Sequence, residues 1–120
     1  MATRRATLPR SERLRGRDAI QELFRRGARL DREAFLVLWM PVAGPRLAGF
    51  LAGRRLSGSV GRNRARRRLR EAYRREKHRL PLEGVRVCLL AHRQVLEMRF
   101  KAVTEDVADA LGAVARRLNR

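Results

Sequence analysis

Arg62-Asn63-Arg64-Ala65-Arg66-Arg67-Arg68-Leu69-Arg70-Glu71-Ala72-Tyr73 places its four apolar residues at positions 65, 69, 72 and 73 and fills nearly everything between them with arginine. At about 100° per residue those four fall on one stripe of a helix, and Leu80 extends the same stripe. The spacing predicts an amphipathic helix from Val60 to about Leu80, docked by its apolar side. Only Glu71 and Glu76 relieve the cationic surface, and Glu76 projects toward the apolar stripe, a placement the pattern does not explain. Residues 54–79 hold eleven Arg and one Lys against two Glu, a net of +10, while the rest of the chain supplies +8. Like charges at facing helix positions repel by a few tenths of a kcal/mol per pair. A polyanion reverses that sign, because each phosphate engaged releases condensed counterions.

The remainder of the composition agrees. The chain has 120 residues with 30 Lys+Arg and 12 Asp+Glu, a formal charge of +18, and a sequence pI of about 11.9. Hydrophobic residues make up 44%, enough to fill a single core at this length and too many for a disordered basic tail. All the cations but Lys77 and Lys101 are arginine, whose planar fork suits phosphate and stacks on bases. The lone Cys88 sits in an apolar run, so neither a disulfide framework nor a cysteine metal site forms within the chain, and a reducing, cytoplasmic compartment is expected. No apolar run approaches the roughly 18–20 residues of a membrane span. Residues 1–10 are basic and acid-free, and Ser11-Glu12 interrupts them; they are read as a flexible basic arm rather than a targeting segment, leaving 11–120 as one domain.

Outward from the cationic helix, punctuation divides the chain. Asp18 with Gln21 three residues later resembles a capping box, and Ala19, Ile20, Leu23 and Phe24 recur at helical spacing until Gly27, which predicts a first helix over 17–26. Ala34 to Met40 is nearly continuously apolar and closed by Pro41, and Leu47 to Ala52 follows a Gly44-Pro45 turn; both read as strands. Gly49 and Gly53 in or beside the second strand predict a bulge or the close approach of another backbone. Ser57-Gly58-Ser59 breaks the chain before the basic helix. Val85 to Ala91, apolar on both faces, reads as a central strand. Val103, Val107, Ala110, Leu111, Val114 and Leu118 keep a 3.6-residue rhythm for a last helix, with Glu105 and Asp106 early and Arg116 and Arg117 late, as the helix dipole favours. The resulting order is helix, strand, strand, basic helix, strand, helix: a single α+β domain with an open sheet.

The stretch Arg54-Arg55-Leu56-Ser57-Gly58-Ser59-Val60-Gly61 running into Arg62-Asn63-Arg64, then x-[KR]-R-x-x-R-E-[AS]-[FY], resembles the signature helix of the bacterial ribonuclease P protein subunit family. The likeness spans nearly the whole chain: Arg13-Leu14 resembles the family's opening pair, Leu47-Ala48-Gly49-Phe50 the strand before the signature, and Val87 to Arg93 the strand that follows it. The resemblance implies an α/β sandwich of the ribosomal protein S5 domain 2-like type with a left-handed crossover. It implies a protein that does no chemistry itself, since the catalytic RNA subunit, with bound magnesium, removes the 5′ leader of precursor tRNA. Expected partners are therefore the RNA subunit and the leader, with no membrane and no small-molecule substrate. Carried over by position, Arg54, Arg55, Arg62, Asn63, Arg64, Arg66, Arg67, Arg68 and Arg70 face RNA. Phe24 matches one of the aromatics of the family's leader cleft, while Ile20 and Leu38 stand where two others are usual and remove those stacking faces. Phe35 and Trp39, on the other side of a regular strand from Leu38, are expected in the core. Gly58 stands where the family usually has Asn.

No catalytic or protein-bound metal residue is expected. His78 and His92 are isolated, without Cys or carboxylate at ligand spacing. Ser57 and Ser59 lack a nucleophile elbow, and Gly58 and Gly61 lack the Lys-Ser/Thr ending of a P-loop. Cys88 fits a small core hydrophobe. Glu12, Asp18 and Glu22 are dispersed acids suited to capping and charge balance. A stand-alone structural RNA-binding protein of ribosomal type is the alternative function; a DNA reader fits less well, because arginine at almost every exposed helix position is not the sparse pattern that reads bases.

Overall fold

Strand-length apolar runs need partners on both edges, and the long-range pairing here is set by the run that is apolar on both faces. The computed structural model describes residues 8–53, 56 and 58–119. Its elements in chain order are a 3-10 turn at Arg10–Glu12, α1 (Arg17–Arg26), β1 (Ala28–Asp31), β2 (Phe35–Pro45), β3 (Leu47–Ala52), α2 (Gly58–Glu76) with a 3-10 turn at Lys77–Arg79, β4 (Glu83–Ala91), α3 (Gln94–Glu97) and α4 (Phe100–Leu118). The four strands form one mixed sheet in the order β1-β2-β4-β3. β1 and β4 flank β2 in antiparallel fashion, and β3 runs parallel to β4, with α2 as the crossover between them.

The two sides of the sheet carry two cores. Phe35, Val37 and Trp39 of β2, Ala48 of β3, and Val85, Val87 and Leu89 of β4 pack with Ala65, Leu69, Ala72 and Tyr73 of α2 and with Val103, Val107, Ala110, Leu111 and Val114 of α4. On the opposite side Leu36, Leu38 and Cys88 pack with Leu14 and with Leu23 of α1. Phe35 and Trp39 are thus core, as the strand alternation predicts, and Cys88 is a buried free thiol that burial pushes up to about 12. Burying side chains of this size contributes about 1.5–3 kcal/mol each, and the larger cluster is what fixes the cationic helix rigidly to the sheet.

Several local expectations change. α1 spans the predicted residues, but no side chain caps it: Gly16, at φ 95°, precedes its first residue, and Asp18 lies within the first turn. The helix is entered through a left-handed glycine, so the capping-box geometry at Asp18 and Gln21 does not form. Gly27 ends the helix in extended rather than left-handed backbone; what it supplies is room, because a Cβ there would lie 2.5 Å from the Leu23 carbonyl oxygen and 3.2 Å from that of Trp39. Gly27→Ala is accordingly expected to destabilise the fold by about 1–3 kcal/mol, the usual cost of overpacking, measurable as a lowered urea midpoint with an unchanged slope. β3 has no bulge, since its register with β4 is continuous, but another backbone does come alongside: residues 13 and 14 pair at Ala48, where Gly49 faces the Leu14 side chain at ordinary contact distance, while among the described residues no atom lies within 4 Å of where a Gly53 Cβ would stand. β2 does not stop at Pro41 but continues to Pro45 with a register irregularity between the two. β1 reaches only Trp39, so Pro41 stands where the sheet has lost a neighbour and a missing N–H costs little. β1 itself and α3 were not legible as elements. α2 starts at Gly58, within the tripeptide expected to break the chain, and Glu76, near the apolar stripe, has its carboxylate paired with Arg79 at 2.8 Å.

A candidate nucleic-acid interface

α2 meets the sheet with one stripe, so its arginines divide into an outward row and two flanks. Arg62, Arg64 and Arg67 make no ion pair or hydrogen bond among the described residues, and Arg64 and Arg67 are exposed. Arg66 donates to the Asn63 side-chain oxygen, which turns that pair outward as one unit. Arg70 lies over the Phe50 ring, 5.8 Å from its centroid, and Phe50 meets Tyr73 edge-on at 5.5 Å. Burial lowers the Arg70 pKa, and the charges of Arg13, Arg66 and Arg67 lower it further. Four guanidiniums thus share one neighbourhood, and among the described residues none of the four forms an ion pair with a carboxylate, an arrangement that a bound anion relieves. Arg54 and Arg55 lie outside the described residues.

Arg13 is the member that sequence reasoning missed as a contact. Residues 13 and 14 extend the sheet at the outer edge of β3, with Arg13 bridged to Ala48 in parallel and the Leu14 N–H donating to the Ala48 carbonyl at 2.8 Å. That pairing brings Arg13 beside Arg70, 57 positions along the chain, and no local pattern announces it.

The lower half of α2 is more nearly neutral. Glu71 accepts from Arg74 at 2.6 and 3.0 Å and from Arg75 at 3.1 Å, and the bond from Arg74 holds its carboxyl at about 2. Arg68 also faces inward, donating from Nε to the Val95 carbonyl at 2.8 Å and from Nη2 to the Met98 carbonyl at 2.5 Å. Behind the helix, Arg46 is the one buried charged residue in the described part of the chain, 6% exposed. It donates to the Lys77 and Leu80 carbonyls at 2.9 and 3.3 Å and to Glu12 at 3.2 Å, while Lys77 reaches both Glu12 oxygens at 3.0 Å. This network ties the segment leading to Arg13, the β2–β3 turn and the end of α2 into one rigid support.

On the other side of the sheet α1 covers β2 and β4, held along one flank by Glu22 and Arg86 at 3.2 Å. Ile20 and Phe24, one turn apart, occupy the opposite flank; Ile20 is half-buried and Phe24 is 40% exposed. Leu38 is fully buried, packed among Leu14, Leu23, Leu36 and Cys88. The structure therefore does not place Leu38 on a surface: it is core beneath α1. The partly exposed floor of this face comes from Leu90 and Leu51, which continue the cross-strand row that begins at buried Leu36 and which the sequence reading did not single out. Acidic side chains gather elsewhere, at the β1 edge, where Arg32 pairs with Asp106 at 2.5 Å and Asp109 at 3.9 Å and Asp31 and Glu33 lie alongside.

Among the described residues no helix is long and apolar enough to cross a membrane, and no three His, Cys, Asp or Glu side chains converge as a metal site would need.

Comparison with known proteins agrees with this geometry. The family model described as Ribonuclease P matches residues 8–115. The chain is 34% identical over 119 residues to the ribonuclease P protein component of Desulfovibrio desulfuricans, covering 96% of this chain and 92% of that protein. It is also 34% identical over 104 residues to that of Symbiobacterium thermophilum, covering 85% and 90%. Among solved structures, the RNase P protein from Thermotoga maritima superposes with a TM-score of 0.74 at 27% identity over 85% of this chain and 96% of that one. The RNase P protein of Staphylococcus aureus shares the fold, with a TM-score of 0.71 at 17% identity over 86% and 94%. With a cationic helix, a two-sided α+β sheet and a match across almost its full length, the chain belongs to the ribonuclease P protein family.

Proposed function

We propose that this chain is the protein subunit of a ribonuclease P holoenzyme, binding the catalytic RNA through α2 and holding the 5′ leader of precursor tRNA along the α1 face of the sheet. The observation that carries this reading is the cluster of Arg62, Arg64, Arg66, Arg67, Arg70 and Arg13, unneutralised among the described residues and held on a rigid support. A fixed array of guanidiniums binds phosphate without ordering a flexible tail first, and counterion release makes that binding steeply salt-dependent. Asn63, turned outward by Arg66, adds a polar contact beside the phosphates. The chemistry of strand cleavage belongs in this reading to the RNA and its magnesium ions; the protein neutralises, positions and extends the contact surface toward the leader.

The leader surface differs from an aromatic cleft. Phe24 offers a ring at the surface of α1, with Ile20 beside it and aliphatic Leu51 and Leu90 on the floor. One stacked base is worth about 1–3 kcal/mol, so Phe24→Ala is expected to cost about that much in affinity for precursor with a leader and nothing for mature tRNA or for the RNA subunit. Because Phe24 is 40% exposed and lies outside both buried clusters, Tm should fall only slightly; a large drop in Tm would identify Phe24 as core instead.

The deciding experiment is cleavage of a precursor tRNA by the RNA subunit from the same source at low magnesium and moderate salt, with and without the protein. Protein-dependent rescue, leaving a 5′-phosphate on the mature end, is expected. A folded protein that binds RNA tightly and salt-sensitively yet gives no rescue would point to a stand-alone structural RNA-binding role.

A further inference from the structure

α3 is four residues long, too short to hold a helical turn by its own hydrogen bonds. Its final carbonyls have no partner within the helix, and Arg68 supplies one from a different element, forking onto the Val95 and Met98 oxygens. Next along the chain Phe100 opens α4, and its ring lies 5.6 Å from the Arg68 guanidinium and 5.0 Å from that of Arg75. Arg68 is thus held by two carbonyls and a ring. The residues just before and at the start of α3 form one wall of a cavity of about 600 Å³ where β3 and β4 end, lined by Gly53, Leu56, Leu90, His92, Arg93 and Gln94. Arg93 is exposed there.

We propose that Arg68, although it sits in the middle of the cationic helix, is a positioning residue: it caps the carbonyl end of α3 and thereby fixes Arg93 as an RNA contact at the rim of this cavity. The inference rests on the RNA-binding reading of α2, but it separates Arg68 from Arg64 and Arg67, which have no such partners. A lysine at 68 would preserve a phosphate contact made by charge alone, whereas it lacks the planar fork that spans two carbonyls.

Full-length Arg68→Lys, Arg68→Gln, Arg67→Gln, Arg93→Gln and the double Arg68→Lys/Arg93→Gln variants test this by amide exchange of the free protein and salt titration of binding to the RNA subunit. Arg68→Lys should speed exchange at Leu96 to Phe100 at least about tenfold while the amides of β2 and β4 stay protected, and the double variant should have the same salt slope as Arg93→Gln alone. Arg67→Gln should leave exchange unchanged and flatten the slope by about one unit. Arg93→Gln should weaken binding about tenfold in the wild-type background and less than about threefold beside Arg68→Lys, a non-additivity that support of the fold alone would not produce. Unchanged exchange in Arg68→Lys together with a slope reduced by about one in Arg68→Gln would make Arg68 a phosphate contact and overturn the proposal, as would additive effects at 68 and 93. If Arg68→Gln does not fold, the lysine variant decides by its exchange and by the double variant. Failure of the wild-type protein to bind RNA salt-sensitively would sink the RNA reading itself, with the exchange data still reporting on the α3 cap.

Discussion

Replacing Arg62, Arg64 and Arg67 together with alanine is expected to lower affinity for the RNA subunit on the order of a hundredfold at about 0.1 M salt and to reduce the slope of log K against log salt by two to three units. Both effects have one cause: three phosphates lose their partners and three fewer sets of counterions are released. The fold should survive, because none of the three makes an ion pair or hydrogen bond among the described residues; relief of repulsion along α2 should even raise Tm slightly. Each single variant should contribute about one unit of slope. A triple variant with the wild-type slope would show that these side chains do not meet phosphate.

Arg46→Ala is the change expected to damage the protein most without touching the interface. It removes the donor from two carbonyls at the end of α2 and leaves Glu12 with Lys77 alone. Breaking a buried charged pair from one side costs about 3–5 kcal/mol, roughly 10–20 °C in Tm for a chain of this size. Arg46→Lys should recover part of the loss, since an ammonium keeps the charge but cannot span all three acceptors. Acid should erode the same support. Burial pushes the Glu12 carboxyl up, but the bonds from Lys77 and Arg46 outweigh it and hold the group below its ordinary value. A depressed carboxylate contributes fully above its unfolded value, about 4.3, and the contribution disappears as pH falls through the folded value. The stability gap between wild type and Glu12→Gln is therefore expected to be constant near neutrality and to close below about pH 4, followed by equilibrium unfolding at a series of pH values. Glu71, held at about 2, keeps its pairs to lower pH than an ordinary glutamate would.

What could be read in advance was what periodicity and run length encode. The cationic helix, α1 and α4 follow a 3.6-residue rhythm, and β2, β3 and β4 are apolar runs of strand length, so each appeared within a few residues of its observed bounds. β1 was invisible because Ala28-Arg29-Leu30-Asp31 is short and mostly exposed; it is a strand only because β2 offers it an edge. α3 was invisible for the complementary reason, that its stability is borrowed from Arg68. For the interface, arginine density located the helix but did not sort its members. Arg68 and Arg67 are adjacent and identical in sequence, and only tertiary contact separates one that is tied into the protein from one that is not. Arg13 enters the cluster through strand pairing across 57 positions, and Leu38 leaves the surface because α1 and Leu14 close over it.

The pairing of Arg32 with Asp106 and Asp109 at the β1 edge lies across the sheet from the β3 edge, where Arg13 and Arg70 meet. A molecule of this net charge would be drawn to RNA in any orientation if its cations were spread evenly. Placing five of the twelve acids, Asp31, Glu33, Glu105, Asp106 and Asp109, at the edge opposite Arg13 and Arg70 gives it a dipole across the sheet, so the field of an approaching polyanion exerts a torque as well as a pull. Encounters are thereby turned toward the face that carries α2 before any contact is made, and unproductive landings on the β1 edge are shed rather than trapped.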